Sequence, residues 1–143
     1  MREFQARVRS LTRDWSADRF ERTYAPGKWT ARQILTHLAQ TELALGTRAR
    51  MALTIPNYTA QSFDQNRWIE RDTRLSGQDA LDALIAVGRM NAALFESLTA
   101  DERQTTLSHP EYGALTVDWI IHQMAGHQIH HLRQLEQIGR AGL

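Results

Sequence analysis

Four of the six histidines in this 143-residue chain lie within one ten-residue segment near its end. Two of them, His127 and His131, are four residues apart. On a helix this spacing places both imidazoles on one face, with Cβ atoms about 5–6 Å apart, so both rings can bind one metal ion. The pair is in line with Ile120, Met124 and Leu135, which predicts that it points inward. Such pairs also occur by chance on ordinary helices, where buried histidines only form hydrogen bonds, so the pair alone leaves both interpretations open.

His37 is the natural candidate for a third ligand. It lies at the inner margin of a predicted helix, from which it could reach the helical pair across the core of a bundle. His130 is rotated by about 60° from the midline of that pair, which predicts a hydrogen-bonding neighbour or a surface residue. His122 is predicted to have a structural role. His109 precedes a proline in a predicted turn, so we expect it to be exposed.

The composition limits the chemistry further. The chain has no cysteine, which excludes disulfides, thiolate ligands and a cysteine nucleophile. A metal would therefore be bound without thiolate, with imidazole as the candidate donor, and any reacting thiol must come from a bound cosubstrate. The 17 basic and 16 acidic residues give a net charge of +1, which argues against a dedicated nucleic-acid surface. The chain shows neither a signal peptide nor an apolar run of membrane-spanning length, so we expect a cytoplasmic protein that does not enter a membrane.

Hydrophobic periodicity predicts the elements that must position these histidines. Four amphipathic helices in one domain, residues 1–143, favour an all-α fold, an antiparallel four-helix bundle. Residues 54–76 form the longest polar connection, in which we expect a short helix over Phe63–Arg71. A turn of helix is expected after Thr99, and His109–Gly113 is typical of a turn. The long helices are predicted over Arg2–Arg22, from Thr30 to about Leu53, from Ser76 to about Leu98, and from Thr116 to about Ile138 with Gly139 as the stop.

Glu42 is the candidate for a catalytic proton carrier. It lies one turn and a residue beyond His37 and interrupts an apolar stripe, so it could face the core. A glutamate on the helix surface fits the same position, and the sequence leaves these two alternatives open. Gln40, Gln123 and Gln134 are candidate hydrogen-bond partners of the metal ligands.

Two tryptophans, Trp29 and Trp119, lie near the starts of predicted helices. Both are expected in the core or in a dimer interface rather than under a substrate.

Several arginines surround the long connection and could bind the carboxylates of a cosubstrate bidentately, although each of them separately fits a solvated basic loop. These arginines are Arg48, Arg50, Arg67 and Arg71.

Two sequence motifs resemble the signatures of a known family. Gly27-Lys28-Trp29-Thr30, followed by Ile34-Leu35-Thr36-His37-Leu38-Ala39, resembles the helix-two signature of the DinB/YfiT-like superfamily. His109-Pro110, Gly113 and Thr116, followed by the segment 126–135 with sequence Gly-His-Gln-Ile-His-His-Leu-Arg-Gln-Leu, resemble its C-terminal signature. The order of the elements matches over nearly the whole chain.

The resemblance implies a four-helix bundle, usually a homodimer, with a divalent metal held by three histidines. Carried over by position, the ligands are His37, His127 and His131. Some members have Arg-Gly-Gln after the final histidine, whereas Leu132-Arg133-Gln134 here is closer to a second common variant. Some members resemble transferases or isomerases that use low-molecular-weight thiols, others are called metal-dependent hydrolases, and many have no known activity.

Three functional hypotheses follow. The first is a metal-dependent enzyme, either a thiol-dependent S-transferase or a hydrolase, which acts on a small molecule and uses zinc or nickel. The alternative is a non-catalytic metal-binding stress protein of the same fold. A DNA-repair factor is disfavoured by the near-zero net charge.

Overall fold

The computed structural model describes residues 1–141, which fold mainly into helices. The four long helices pack together as the predicted bundle: α3 contacts α5 and α7, and α1 contacts the same two helices. Within residues 1–141, no helix is long and apolar enough to span a membrane. In chain order the elements are α1 (Arg2–Thr12), α2 (Ala17–Phe20), α3 (Ala31–Thr54), α4 (Gln65–Arg71), α5 (Gly77–Ser97), α6 (Ala100–Arg103), β1 (Thr106–His109), β2 (Gly113–Thr116) and α7 (Val117–Arg140).

Side-chain caps determine where the helices of the site begin. The Thr30 hydroxyl accepts a hydrogen bond from the backbone N–H of Gln33, and the Gln33 side chain accepts one from the backbone N–H of Thr30. This is the predicted capping box, and it starts α3 seven residues before His37. Thr116 caps α7 through the backbone N–H of Trp119 at 3.0 Å. The two helices that bear the candidate ligands therefore begin at residues whose hydroxyl groups satisfy free backbone donors.

The predicted first helix is wrong in its extent, because α1 ends at Thr12 and a separate short α2 follows. Ser16 is extended, and its hydroxyl accepts a hydrogen bond from the backbone N–H of Arg19. Serine competes for backbone groups in this way and favours a helix start over a helix interior. Trp15 still packs against the core and contacts Phe20, with ring centroids 5.4 Å apart.

The predicted turn at His109–Gly113 is present, and it joins the two strands of a hairpin that the sequence analysis did not predict. Strands β1 and β2 are antiparallel, with Thr106 opposite Thr116 and His109 opposite Gly113. The prediction that His109 is exposed is wrong, since only 6% of it is exposed. Its Nδ1 accepts hydrogen bonds from the two backbone N–H groups of the turn, at 3.1 and 3.3 Å. The buried imidazole thus provides the acceptor that these two backbone donors need.

The long connection between α3 and α5 is anchored to this hairpin. The backbone N–H of Ala60 donates to the carbonyl of Ser108 at 2.8 Å, and the N–H of Ser108 donates to the carbonyl of Tyr58 at 3.0 Å. Asp64 caps α4, which begins two residues later than predicted but ends at Arg71 as predicted. The connection is therefore held by backbone hydrogen bonds at one end and by a capped helix at the other.

The prediction that Gly139 stops α7 is also wrong, because the helix continues to Arg140. A Cβ at this position would lie 3.0 Å from Leu11 Cδ1 and 3.3 Å from Trp15 Cζ2. The glycine thus allows α7 to approach the N-terminal segment closely. The Arg19 guanidinium donates to the carbonyls of Ile138 and Gly139 at 3.0 Å, which satisfies the end of the helix.

Candidate metal centre

Three histidines from two helices converge on one point between α3 and α7. Nε2 of His127 lies 2.9 Å from Nε2 of His37 and 3.1 Å from Nε2 of His131. One ring nitrogen from each residue lies within 4.8 Å of the other two. These are the three histidines that the sequence analysis names as ligands, and the fold brings them together.

The helical pattern around each histidine explains its direction. His37 lies between Ile34 and Leu38, which are fully buried, and only 1% of His37 itself is exposed. On α7 the pair follows Met124 and precedes Leu135, both of which lie in the core. Because residues three or four apart share a face, the apolar stripes that pack α3 against α7 also direct the imidazoles toward each other.

Burial keeps these imidazoles neutral. Loss of solvation, together with the proximity of the other two rings, lowers the pKa of His37 to about 3. Burial followed by the charges of His131 and His130 lowers the pKa of His127 to about 4. Burial also lowers the pKa of His131, although its hydrogen bond to Gln134 opposes this shift. At neutral pH the rings are therefore uncharged, which is the form that binds a metal.

The donor set fits a divalent cation better than it fits hydrogen bonds alone. A neutral ring nitrogen carries either one hydrogen or one lone pair in the ring plane, so three converging Nε2 atoms cannot all pair with one another. A tetrahedral ion with nitrogen ligands at about 2.0–2.1 Å needs those nitrogens about 3.3–3.4 Å apart. The separations of 2.9 and 3.1 Å are close to that requirement. A single cation would satisfy all three lone pairs.

Gln134 and Trp29 contact two of the candidate ligands, His37 and His131. Nδ1 of His131 lies 2.7 Å from Gln134 Oε1, and the Gln134 amide donates to the Tyr24 hydroxyl at 3.1 Å. If His131 donates through Nδ1, its Nε2 keeps the lone pair that a metal ligand needs. The Trp29 ring packs against His37 and His131, at centroid distances of 4.9 and 6.3 Å. Trp29 packs against the core, as predicted, and it also covers the site.

The other candidate glutamines lie elsewhere. The Gln40 amide donates to Asp72 at 2.7 Å, and Gln123 is exposed on α7.

A cavity of about 220 Å³ opens beside His131. Tyr24 was not predicted as part of this region, although it lies just before the glycine–lysine–tryptophan motif in the sequence. The residues that line the cavity are Tyr24, Gly27, Lys28, Trp29, His131 and Gln134.

Glu42 faces the core, so the surface alternative is wrong. Only 2% of it is exposed, and its carboxylate accepts hydrogen bonds from the side-chain amides of Gln128 and Asn91. Burial raises its pKa, and these two hydrogen bonds oppose the shift. Glu42 is not part of the three-histidine cluster. Its catalytic role stays a prediction. Its hydrogen-bond partner Gln128 is the residue next to the ligand candidate His127.

The remaining histidines are peripheral. His130 is exposed, and its Nε2 lies 3.3 Å from Gln134 Nε2, which agrees with a surface residue next to the site. His122 is exposed on α7, where its Nδ1 lies 2.9 Å from the carbonyl of Asp118 one turn earlier. Neither contributes to the cluster.

Comparison with known proteins places these features in a family. A model of the DinB superfamily matches residues 1–135. A protein of Oceanobacillus iheyensis named "putative metal-dependent hydrolase" is 28% identical over 120 residues, which are 83% of this chain and 69% of that protein. One of the same name from Halalkalibacterium halodurans is 26% identical over 92% of this chain and 78% of its own length. The structure of YfiT from Bacillus subtilis, described as a probable metal-dependent hydrolase with an unusual four-helix bundle topology, superposes with a TM-score of 0.86 and 22% identity, over 96% of this chain and 81% of that one.

Proposed function

This chain belongs to the DinB superfamily, and we propose that it is a metal-dependent enzyme in which His37, His127 and His131 hold one divalent ion. The convergence of three neutral imidazoles, with one ring nitrogen of each within 4.8 Å of the other two, carries this proposal. The names of the matched relatives from Oceanobacillus and Halalkalibacterium support it. Imidazole ligands suit zinc and nickel, which we propose as the resident metals.

Three protein ligands are the number found in catalytic zinc sites, whereas structural sites usually have four. When bound, a divalent ion held in this way supplies Lewis acidity, which makes a water molecule or a thiol more acidic near neutral pH. The residues of this chain orient and shield the site. Gln134 holds the His131 ring through Nδ1 at 2.7 Å, and the Trp29 ring limits the access of water to His37 and His131.

We propose a small-molecule substrate and one of two reactions, thiol-dependent S-transfer or hydrolysis. Because the chain has no cysteine, the thiol in the first reaction must be a low-molecular-weight cosubstrate. Hydrolysis would need a proton carrier, for which Glu42 is the candidate. The Glu42 carboxylate already accepts hydrogen bonds from two amides, and this favours S-transfer over hydrolysis.

The alternative is a metal-binding protein without catalytic activity. It is supported by one observation: among the residues that the structure describes, no carboxylate belongs to the three-histidine cluster. Homodimer formation likewise remains a proposal, which light scattering of the purified protein would check.

The metal content of the wild type and two variants tests the proposal. Wild-type protein purified without chelator and dialysed against zinc or nickel should retain about one ion per chain by plasma emission spectrometry. His127→Ala should lose the ion, because Nε2 of His127 adjoins both other ligands. His130→Ala is the matched control: this exposed histidine lies three residues away and should leave the stoichiometry unchanged. A wild-type protein that retains no ion would refute the site.

Activity separates the enzyme from the binding protein. The zinc- and nickel-loaded forms should be incubated with an electrophile, with and without a low-molecular-weight thiol, and with ester and amide substrates. Turnover that requires the thiol and is lost in His127→Ala would support S-transfer. Turnover without thiol would support hydrolysis. A metal-loaded protein with no turnover in either screen would favour the non-catalytic alternative.

A further inference from the structure

A groove separate from the cavity beside His131 lies between α3 and α4 and is closed at one side by the connection that joins them. Its volume is about 680 Å³, which is within the range of about 300–1,000 Å³ that is typical of small-molecule sites. We call it the α3–α4 groove. The side chains that matter for its chemistry are Leu43, Arg48, Phe63, Arg67, Trp68 and Arg71.

One wall of the groove is apolar and aromatic. The rings of Phe63 and Trp68 are packed with centroids 4.5 Å apart and planes inclined by 41°. Trp68 is 37% exposed and Leu43, on the facing helix, is 52% exposed. Large apolar side chains that face each other across a concave surface are typical of a ligand site. This wall could cover a planar apolar group.

The rim of the groove carries an excess of positive charge. Arg48, Arg67 and Arg71 line it together with a single acidic residue, Asp64. Asp64 is already engaged, since it accepts hydrogen bonds from two backbone N–H groups at the start of α4 and lies 3.9 Å from the Arg67 guanidinium. The three guanidinium groups thus outnumber the one carboxylate, which favours an anionic ligand.

Arg48 is the best positioned of these arginines. One of its terminal nitrogens donates to the carbonyl of Gln61 at 2.7 Å, and its guanidinium lies 5.6 Å from the centroid of Phe63. A guanidinium has five N–H donors, so this anchoring leaves donors for a carboxylate. Arg50, the fourth arginine of this region, donates instead to Gly46 and Asn91 on the side of α5. It does not line the groove.

The groove is close to the metal centre along α3. Ala44 and Arg48 follow His37 by seven and eleven residues, so they project within about 20° of the same side of the helix. At about 1.5 Å per residue, they lie about 10 and 16 Å further along the axis. The hydrogen bond from Gln40 to Asp72 attaches the end of α4 to α3 one turn beyond His37.

We propose that the α3–α4 groove binds a small organic carboxylate with a planar apolar group, which packs on Phe63 and Trp68 while its carboxylate is bound by Arg48 and Arg67. The identification of this molecule as substrate or cosubstrate rests on the proposed function. The binding itself does not, because every contact comes from groups outside the three-histidine cluster.

Calorimetric titration with 1-naphthoate and 1-naphthamide tests the groove. The two probes share the ring system and differ in charge. The protein should be metal-free after dialysis against a chelator, so that a failed metal site and a failed groove give different results. The naphthoate should bind at least tenfold more tightly than the amide, since a bidentate guanidinium–carboxylate pair exceeds a neutral hydrogen bond by about that factor.

The variants separate the two halves of the groove. Arg48→Met and Arg67→Met should weaken the naphthoate, by about tenfold for Arg48, and leave the amide unchanged. Trp68→Ala should weaken both probes. Arg89→Met, which removes an exposed arginine of α5 outside this groove, is the control and should change neither.

Three results would overturn the proposal. The first is equal affinity for the acid and the amide in the wild-type protein. The second is that neither arginine variant separates the two probes. The third is naphthoate binding that occurs only after metal is added, since the carboxylate would then bind at the metal and not in the groove.

Discussion

Replacement of Glu42 by glutamine should stabilise the protein at neutral pH but not at acidic pH. The wild-type carboxylate is buried and accepts hydrogen bonds from Asn91 and Gln128. Glutamine keeps the shape and removes the charge. Gln128 Oε1 is buried without a hydrogen-bond partner, so rotation of that amide would allow it to accept a hydrogen bond from the new side chain. The number of hydrogen bonds would then be preserved while the cost of burying a charge is lost.

The size of the effect follows from proton linkage. Burial raises the pKa of Glu42 in the folded protein, so between the unfolded pKa of about 4.3 and the folded pKa the folded state binds more protons than the unfolded state. Stability from this group is therefore complete below the unfolded pKa and falls as the pH rises through the folded pKa. The wild type should lose up to about 1.4 kcal/mol per pH unit in that window relative to Glu42→Gln.

Urea unfolding followed by circular dichroism between pH 4 and pH 8 measures this difference. A chelator removes any contribution from bound metal, and subtraction of the two proteins cancels the titration of the histidines they share. Glu70→Gln, at an exposed position on α4, controls for the loss of one negative charge. The reasoning would be refuted if the difference in unfolding free energy between wild type and Glu42→Gln were constant with pH. It would also be refuted if Glu42→Gln lost stability relative to the wild type as the pH increased.

Three further predictions concern the packing and the metal. Gly46→Ala should destabilise the protein by about 1–3 kcal/mol, because its Cβ would overlap the buried side chain of Asn91, whereas Gly126→Ala, where no atom lies within 4 Å, should stabilise it by about 0.5–1 kcal/mol. Urea unfolding measures both free energies, and equal changes in the two variants would contradict the packing of α3 against α5. His109→Ala should cost about 1–3 kcal/mol, because two backbone N–H groups of the hairpin turn lose their acceptor; an unchanged midpoint would show that water replaces the ring. Zinc at one hundred times its Kd should raise the unfolding free energy of the wild type by about 2.7 kcal/mol but leave His127→Ala unchanged, and a similar increase in both would place the ion elsewhere.

Local pattern predicted most of the fold. The apolar spacing identified the long helices, and Thr30, Ser76 and Thr116 marked three of their starts as the structure has them. The predictions were wrong where a side chain forms hydrogen bonds with nearby backbone groups or where a residue packs against others far along the chain. Ser16 interrupts the first predicted helix by capping a new one, and Gly139 lies within α7 at a position where a Cβ would meet Leu11 and Trp15. The four-residue strands of the hairpin are too short for a clear alternating pattern.

In the candidate site, too, some features follow from local sequence and others depend on how the helices pack. The spacing of His127 and His131 determines that they share a face, because the period of an α-helix is a property of the backbone. Whether His37 meets them depends on how α3 packs against α7, which spacing within either helix cannot show. Glu42 illustrates the same limit: its position at the edge of a stripe fits both surface and core, and only Asn91 of α5 and Gln128 of α7 decide between them.

The sequence by itself determined which chemical groups are available: imidazoles at helical spacing, no thiol, and arginines around a long connection. These features need only residue identity and the geometry of one helix. The tertiary structure decided which groups meet. It placed one ring nitrogen from each of three histidines within 4.8 Å of the other two, packed Trp29 against two of these rings, and divided the arginines between a groove and the α5 interface. Such contacts join residues far apart in the chain, and their geometry depends on the packing of whole helices, so no local pattern encodes them.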